Sequence, residues 1–275
     1  MICAWNELLA ILPSWMRQDV DRLGKETLQE LRLRINIPPE LVLSSEKTDL
    51  VRCVTRDDLN FCVNAASRYS PWAASSAAEG YLTAPGGHRI GLCGEAVCQE
   101  GQPAAIKNLT SICIRVARDY PGIAAEAGNL TGSILILGAP GWGKTTLLRD
   151  LCRQIGERET ICVADERKEI FPAEIPAGKR IDVMIGCPKR KCLDMLLRSM
   201  GPTYLAVDEI TAQDDCNALI QTANCGIKLL ATAHGAALQD YYSRNVYKPL
   251  ADNHVFDTIL LLRRDKSYTI ERVAG

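Results

Sequence analysis

The chemistry of this chain is concentrated first in Gly138-Ala139-Pro140-Gly141-Trp142-Gly143-Lys144-Thr145, which follows the apolar run Ile134-Leu135-Ile136-Leu137. Glycines at this spacing let backbone N–H groups point into one concavity, which is how a loop cradles phosphates. A helix starting at Lys144 would add its positive end. In such a loop the lysine reaches the β- and γ-phosphates of a nucleoside triphosphate, and the Thr145 hydroxyl ligates magnesium. Thr146 continues the binding segment. Trp142 stands where a side chain points away from the phosphates, free to pack on a neighbouring element or subunit.

A second group completes that chemistry. Tyr204-Leu205-Ala206-Val207-Asp208-Glu209 is an apolar run ending in two carboxylates. Beside a triphosphate, Asp208 would hold magnesium through a water, and Glu209 would polarise the attacking water as general base. Val163-Ala164-Asp165-Glu166-Arg167 ends in the same way. Ligands of open α/β sheets gather at the carboxyl ends of strands, so Glu166 and Arg167 either face the nucleotide, Glu166 ahead of Asp165 in assisting the water, or form an ordinary polar strand end. Leu229 to Gly235 is a third strand with a polar tip, where Thr232 or His234 would sense the γ-phosphate. Arg115, Arg118, Arg149 and Arg198 are alternatives for an arginine acting on the phosphates in trans. Lys189-Arg190-Lys191 reads either as a solvated face or as a pore loop that faces protein or nucleic acid.

These residues need a frame that brings distant strand tips together. From Ser133 onward the pattern alternates strand and helix, as a parallel sheet does. Strands are expected at 133–138, 160–165, 181–185, 203–209, 228–233, 257–264 and 267–273. Leu147, Leu148, Leu151, Cys152 and Ile155 form one helical face; Leu193, Leu196, Leu197 and Met200 form another, closed by Gly201-Pro202. A third helix starts at Thr211 or Gln213. Residues 1–125 mix types. Leu28–Ile35 and Ser111–Ala117 alternate as half-buried strands, Thr55-Arg56-Asp57-Asp58 opens a helix, and a glycine-rich turn at 85–87 joins two strands into a hairpin. The sequence therefore divides into an N-terminal α+β domain, 1–125, and an α/β domain, 126–275. Pro121-Gly122 and Gly128-Asn129 bound a stretch that reads as a linker.

The chain has 275 residues, 47% of them hydrophobic and 24% charged, with a net charge of -1. This is the composition of a globular protein with a sizeable core. A balance so near neutrality gives no global pull toward nucleic acid or anionic lipid. The apolar runs are strand-sized, so no membrane span is expected. The first residues lack the basic start of a signal peptide. The 12 cysteines include no C-x-x-C pair; reduced thiols are expected rather than a zinc site.

Together these motifs, with Arg198-Ser199-Met200-Gly201-Pro202, Leu31-Arg32-Leu33-Arg34 and Gly80 to Gly91, resemble the stage III sporulation protein AA family. That family is similar to the hexameric ATPases of type II and type IV secretion. The resemblance spans nearly the whole chain. It implies a RecA-like P-loop ATPase core behind a smaller α+β domain, using ATP and Mg²⁺ and assembling as a hexameric ring. It implies a mother-cell cytosolic location and membrane-embedded partners at the channel to the forespore. It places functional boxes on Glu166 and His234, with the histidine strand between the phosphate-loop strand and the Asp208 strand.

Two other readings compete. A nucleic-acid-dependent ATPase would use Lys189-Arg190-Lys191 and Arg32/Arg34, although aromatic content of 5% offers little for stacking bases. A nucleotide-gated scaffold would bind ATP and barely hydrolyse it.

Overall fold

The computed structural model describes residues 1–44, 46–68, 80–99, 101–172 and 175–273. It divides into two compact units, Met1–Asp119 and Tyr120–Gly275.

The first unit begins with α1 (Trp5–Ala10) and α2 (Ser14–Leu23), separated at Pro13. Its strands are β1 (Leu28–Arg34), β2 (Glu40–Leu43), β3 (Lys47–Asp49), β4 (Tyr81–Thr83), β5 (Arg89–Gln99) and β6 (Gln102–Arg115). They form an antiparallel sheet in the order β3-β2-β1-β6-β5-β4. Leu28, Leu31 and Leu33 are all buried, although strict alternation would turn Leu28 away from the other two. An irregularity between Leu28 and Glu30 in the pairing with β2 restores the parity. Helix α3 (Arg56–Ala66) starts where its polar residues require. The Asp58 N–H donates to Thr55 Oγ1 at 3.2 Å, and the Thr55 N–H donates to Asp58 Oδ2 at 2.8 Å.

The glycine-rich turn fixes a histidine. Gly86 has φ +77°, and a Cβ there would lie 2.4 Å from the Ala4 Cβ. Next to it His88 is fully buried. Its Nδ1 accepts from the Ala117 N–H at 3.0 Å, so Nε2 carries the proton donated to the Ala4 carbonyl at 2.9 Å. Beyond Cys93 the β5–β6 pair continues as a mostly exposed ribbon that the sequence pattern does not announce.

The second unit contains β7 (Ile134–Gly138), α4 (Lys144–Gly156), β8 (Ile161–Asp165), β9 (Ile181–Ile185), α5 (Lys189–Met200), β10 (Tyr204–Ile210), α6 (Gln213–Asn224) and β11 (Lys228–His234). Two short helices follow, α7 (Gln239–Ser243) and α8 (Lys248–Asp252), then the hairpin β12 (Thr258–Leu262) and β13 (Tyr268–Arg272). The sheet order is β13-β12-β7-β11-β10-β8-β9, parallel except for β13. The strands and helices expected from Ser133 onward all appear within about two residues.

Strand parity sorts the core into two layers. Ile134, Ile136, Ile161, Val163, Tyr204, Ala206 and Leu230 pack with Leu147, Leu148 and Leu151 of α4. Leu135, Leu137, Cys162, Leu205, Val207 and Leu229 pack on the other face with Leu193 and Leu196 of α5 and Leu219 of α6. A sheet covered on both faces needs continuous apolar strands, which is why these read as runs rather than alternations.

The stretch 121–129 is not a free linker. It is a series of turns in which Ala124 and Ala127 are fully buried. Asp150 of α4 accepts from the Gly122 N–H at 3.0 Å and the Ala124 N–H at 2.8 Å. A carboxylate that satisfies backbone donors of a buried turn removes a desolvation cost that the turn could not otherwise bear. All 12 cysteines are free.

Candidate functional site

The glycine-rich loop expected to cradle phosphates leaves β7 at Gly138 and enters α4 at Lys144. Gly141 and Gly143 have φ +75° and +100°, the left-handed backbone that glycine adopts without a Cβ penalty. At Gly138 the constraint is space. A Cβ there would meet the Leu262 Cβ at 3.0 Å and Lys144 Cγ at 3.3 Å. Ala139 and Pro140 complete the turn, and the Trp142 N–H donates back to the Ala139 carbonyl at 3.3 Å. Trp142 is part-buried against the α4 side of the core, packing on its own unit. Thr145 and Thr146 lie in the first turn of α4.

The order β7-β11-β10 brings three strand tips side by side. Thr145 Oγ1 donates to Asp208 Oδ2 at 2.6 Å. The Lys144 ammonium donates to the Ala139 carbonyl at 3.2 Å and to His234 Nδ1 at 3.1 Å. Because Nδ1 accepts, Nε2 holds the imidazole proton and donates it to Glu209 Oε1 at 2.9 Å. The other carboxylate oxygen, Oε2, accepts from Arg167 Nη1 at 2.7 Å. Lys144, His234, Glu209 and Arg167 thus form one hydrogen-bonded chain.

The two acids owe their positions to a distortion in β10. Val207 pairs with Ala231, but Ile210 pairs with Ala233, so Asp208 and Glu209 together face Thr232. Glu209 has φ +57°, a costly backbone for a residue with a Cβ. Thr232, fully buried, holds the bulge. Its hydroxyl donates to Asp208 Oδ1 at 2.5 Å and accepts from the Glu209 N–H at 2.8 Å. Bulges of this kind re-aim side chains beside functional sites. Tyr247 braces the neighbouring backbone, its hydroxyl accepting from the His234 N–H at 3.1 Å.

Charge follows burial and partners. Burial pushes the Glu209 carboxyl up, but the His234 hydrogen bond, Arg167 and Lys189 together hold it below the usual glutamate range. Burial lowers the Lys144 ammonium, with Asp208 and Glu209 opposing. Burial raises the Asp165 carboxyl against the amides of Phe171 and Ile170.

Other expected residues divide. Glu166 lines a small cleft with Asp165, Arg167, Glu169, Lys189, Asp208 and Glu209. Asp165 is spent on structure, accepting from the backbone N–H groups of Glu169, Ile170 and Phe171 at 2.8–3.0 Å. Arg149 is buried, and its guanidinium donates to the Glu169 and Ile170 carbonyls, which disqualifies it as a trans-acting group. Arg115 pairs with Glu30 at 3.6 Å, Arg118 donates to the Lys25 and Leu28 carbonyls, and Arg198 is exposed. The cluster Lys189-Arg190-Lys191 is the first turn of α5 and not a loop. Lys189 turns inward, donating to the Glu209 carbonyl at 2.5 Å and to Asp215 Oδ2 at 3.4 Å. Its run of like charges concealed that role.

A mostly parallel α/β sheet with a glycine-rich loop, joined in one chain to an antiparallel sheet, is a fold with counterparts among solved ATPase structures. The chain aligns with the ATPase DotB of Legionella pneumophila at TM-score 0.57 and 17% identity, over 95% of this chain and 80% of that one. With the pilus retraction motor PilT, in a structure that also holds ADP, the TM-score is 0.60 at 14% identity, covering 92% and 80%. At such identities the likeness is one of fold.

Family membership comes from sequence. Residues 5–273 match the family model described as "Sporulation stage III, protein AA". The chain is 34% identical over 281 residues to Stage III sporulation protein AA of Bacillus subtilis (strain 168), covering 95% of this chain and 92% of that protein. The chain belongs to this family.

Proposed function

We propose that the protein is a Mg²⁺-dependent ATPase motor of the secretion-ATPase kind, acting in endospore formation. One observation carries this reading: the Lys144-Thr145 turn, the Asp208-Glu209 pair and His234 converge within hydrogen-bond reach at neighbouring strand tips. Nucleotide phosphates would lie in the loop from Gly138 to Thr146, with Lys144 leaving His234 for a phosphate oxygen.

The residues present suit a magnesium ion. Thr145 Oγ1 donates its proton to Asp208, which leaves its lone pairs for a hard cation, and the carboxylate behind it supplies negative charge. Bound there, the ion would neutralise charge on the β- and γ-phosphate oxygens. Glu209, ionised across the neutral range, would take a proton from the attacking water once water replaces His234 or Arg167 on its carboxylate. His234, joined to both Lys144 and Glu209, would report phosphate occupancy to the base.

Family membership supports assembly as a ring, a hexamer by analogy, on the mother-cell side of the channel to the forespore, with membrane-embedded partners. Among the described residues no helix is long and apolar enough to cross a membrane. The basic residues behind a nucleic-acid role are largely engaged elsewhere. Arg32 pairs with Glu30 at 3.0 Å, Arg34 with Glu40 at 2.9 Å, and Lys189 lies in the site.

The test is turnover and binding in paired variants. Lys144→Ala should lose nucleotide binding. Glu209→Gln should bind ATP and hydrolyse it at least a hundredfold more slowly, roughly the size of losing a general base. Parental turnover in Glu209→Gln would refute the base assignment. ATP affinity without turnover in the assembled parent would favour the scaffold reading.

A further inference from the structure

The turn between β12 and β13 breaks a local rule. Leu262 pairs with Tyr268, and the Arg263 N–H donates to the Ser267 carbonyl at 2.9 Å, leaving Arg264-Asp265-Lys266 as a three-residue loop. The last residue of such a loop takes the left-handed conformation, where glycine is favoured. Here it is Lys266, at φ +73°. A lysine kept where glycine would relieve strain calls for a reason in its side chain.

The side chain reaches the phosphate loop. Lys266 Nζ donates to the Gly141 carbonyl at 2.6 Å. Its Cδ lies 3.9 Å from where a Cβ on Gly143 would stand. Partial burial lowers the Lys266 ammonium below the ordinary lysine range, although the residue as a whole stays exposed.

The peptide it holds lies among glycines. The Gly141–Trp142 unit has a glycine at φ +75° on one side and Gly143 at φ +100° just beyond. A trans peptide is planar, with its C=O and N–H pointing in opposite directions. A cation drawing the Gly141 oxygen to one side therefore turns the Trp142 N–H to the other. That N–H donates to the Ala139 carbonyl, the acceptor that also holds the Lys144 ammonium. Two donors suited to phosphate thus share one backbone acceptor until a phosphate replaces it.

We infer that Lys266 is a positioning residue of the nucleotide site: its ammonium fixes the Gly141–Trp142 peptide so that the Trp142 amide faces the phosphates. This rests on the nucleotide-binding reading above. It assigns work to a hairpin that none of the phosphate-loop motifs includes.

Three variants test it. Lys266→Gly suits the left-handed backbone and removes the ammonium. Lys266→Met keeps the stem and the strain but not the charge. Lys266→Arg restores a donor. ADP and a non-hydrolysable ATP analogue are titrated calorimetrically, thermal melts are recorded, and amide exchange across 139–147 is followed in nucleotide-free protein. Lys266→Gly should melt no lower than the parent yet bind both nucleotides about tenfold to a hundredfold more weakly, the range of a lost charged hydrogen bond. Lys266→Met should show the same loss, and Lys266→Arg should recover much of it. Exchange in the loop should quicken in the Gly and Met variants, and KM for ATP should rise more than kcat falls. Parental affinity in both Lys266→Gly and Lys266→Met overturns the inference alone. A parent that binds neither nucleotide overturns the nucleotide reading and this inference with it.

Discussion

His234 and Glu209 lie on adjacent strands, and the imidazole Nε2–H donates to the carboxylate at 2.9 Å while Nδ1 accepts from Lys144. On the proposed nucleotide-binding reading, a phosphate that drew Lys144 away would change what the ring can accept, and the ring would in turn bear on Glu209 as the proposed base. On that reading His234 has more than a packing role. His234→Ala should keep nucleotide affinity within about threefold but lower turnover at least tenfold, a typical cost of removing a positioned group near proton transfer. His234→Gln, which can still bridge, should fall between. Steady-state hydrolysis beside calorimetric ADP binding reads both. Equal turnover in His234→Ala and the parent would remove the histidine from the mechanism.

Thr232 is the hinge of the acidic pair. It is fully buried and serves Asp208 and the Glu209 amide with one hydroxyl. Thr232→Val keeps the shape, strands the Glu209 N–H and frees Asp208. The expected cost is about 1–3 kcal/mol of stability, the range for an unmet buried donor. Turnover should fall further than binding. Thr232→Ser, which keeps the hydroxyl, should retain most of both. Urea melts with hydrolysis rates check this, and a Thr232→Val protein as stable and active as the parent would refute it.

Why some features show in the sequence and others do not has a physical basis. The central strands are buried on both faces, so continuous runs such as Tyr204–Val207 mark them plainly, and parity within each run assigns its two layers. The glycine-rich loop is legible because Gly141 and Gly143 mark its positive-φ positions directly. The bulge at Asp208–Glu209 is not legible. Positive φ at a glutamate contradicts local propensity and is imposed by Thr232 from another strand. Lys189 was masked by a basic run whose neighbours are solvated. The β5–β6 ribbon buries little, so no hydrophobic period marks it. The turns at 121–129 look like a linker because small residues hide the Asp150 carboxylate that organises them.

Lys189 occupies the first turn of α5, where the helix dipole disfavours a cation. The Glu209 carbonyl and Asp215 compensate it. It therefore fixes the Glu209–Ile210 peptide, as Thr232 fixes the Asp208–Glu209 peptide on the other side of Glu209. Lys189→Met should bind ATP nearly as the parent does but turn it over about tenfold more slowly. Arg190→Ala and Lys191→Ala, on the exposed side of the same turn, should change neither. If all three variants behave alike, Lys189 is an ordinary surface residue.

Lys144 gives the pH dependence an unusual sign. Burial lowers its folded pKa below 10.5, so the folded state disfavours the ammonium. That penalty is full below the folded pKa and is relieved as pH rises through it toward the unfolded value. Glu209 behaves oppositely. Its lowered pKa adds stability above the unfolded value near 4.5, and that stability is lost as pH falls through the folded one. For binding, phosphates favour the Lys144 ammonium, so nucleotide affinity should decline in the alkaline range at a lower pH than an unperturbed lysine would dictate. Calorimetry in buffers of different ionisation enthalpy should show proton uptake on ADP binding there. Affinity that stays flat until the ordinary lysine range, with no proton uptake, would mean that the burial of Lys144 does not shape the site.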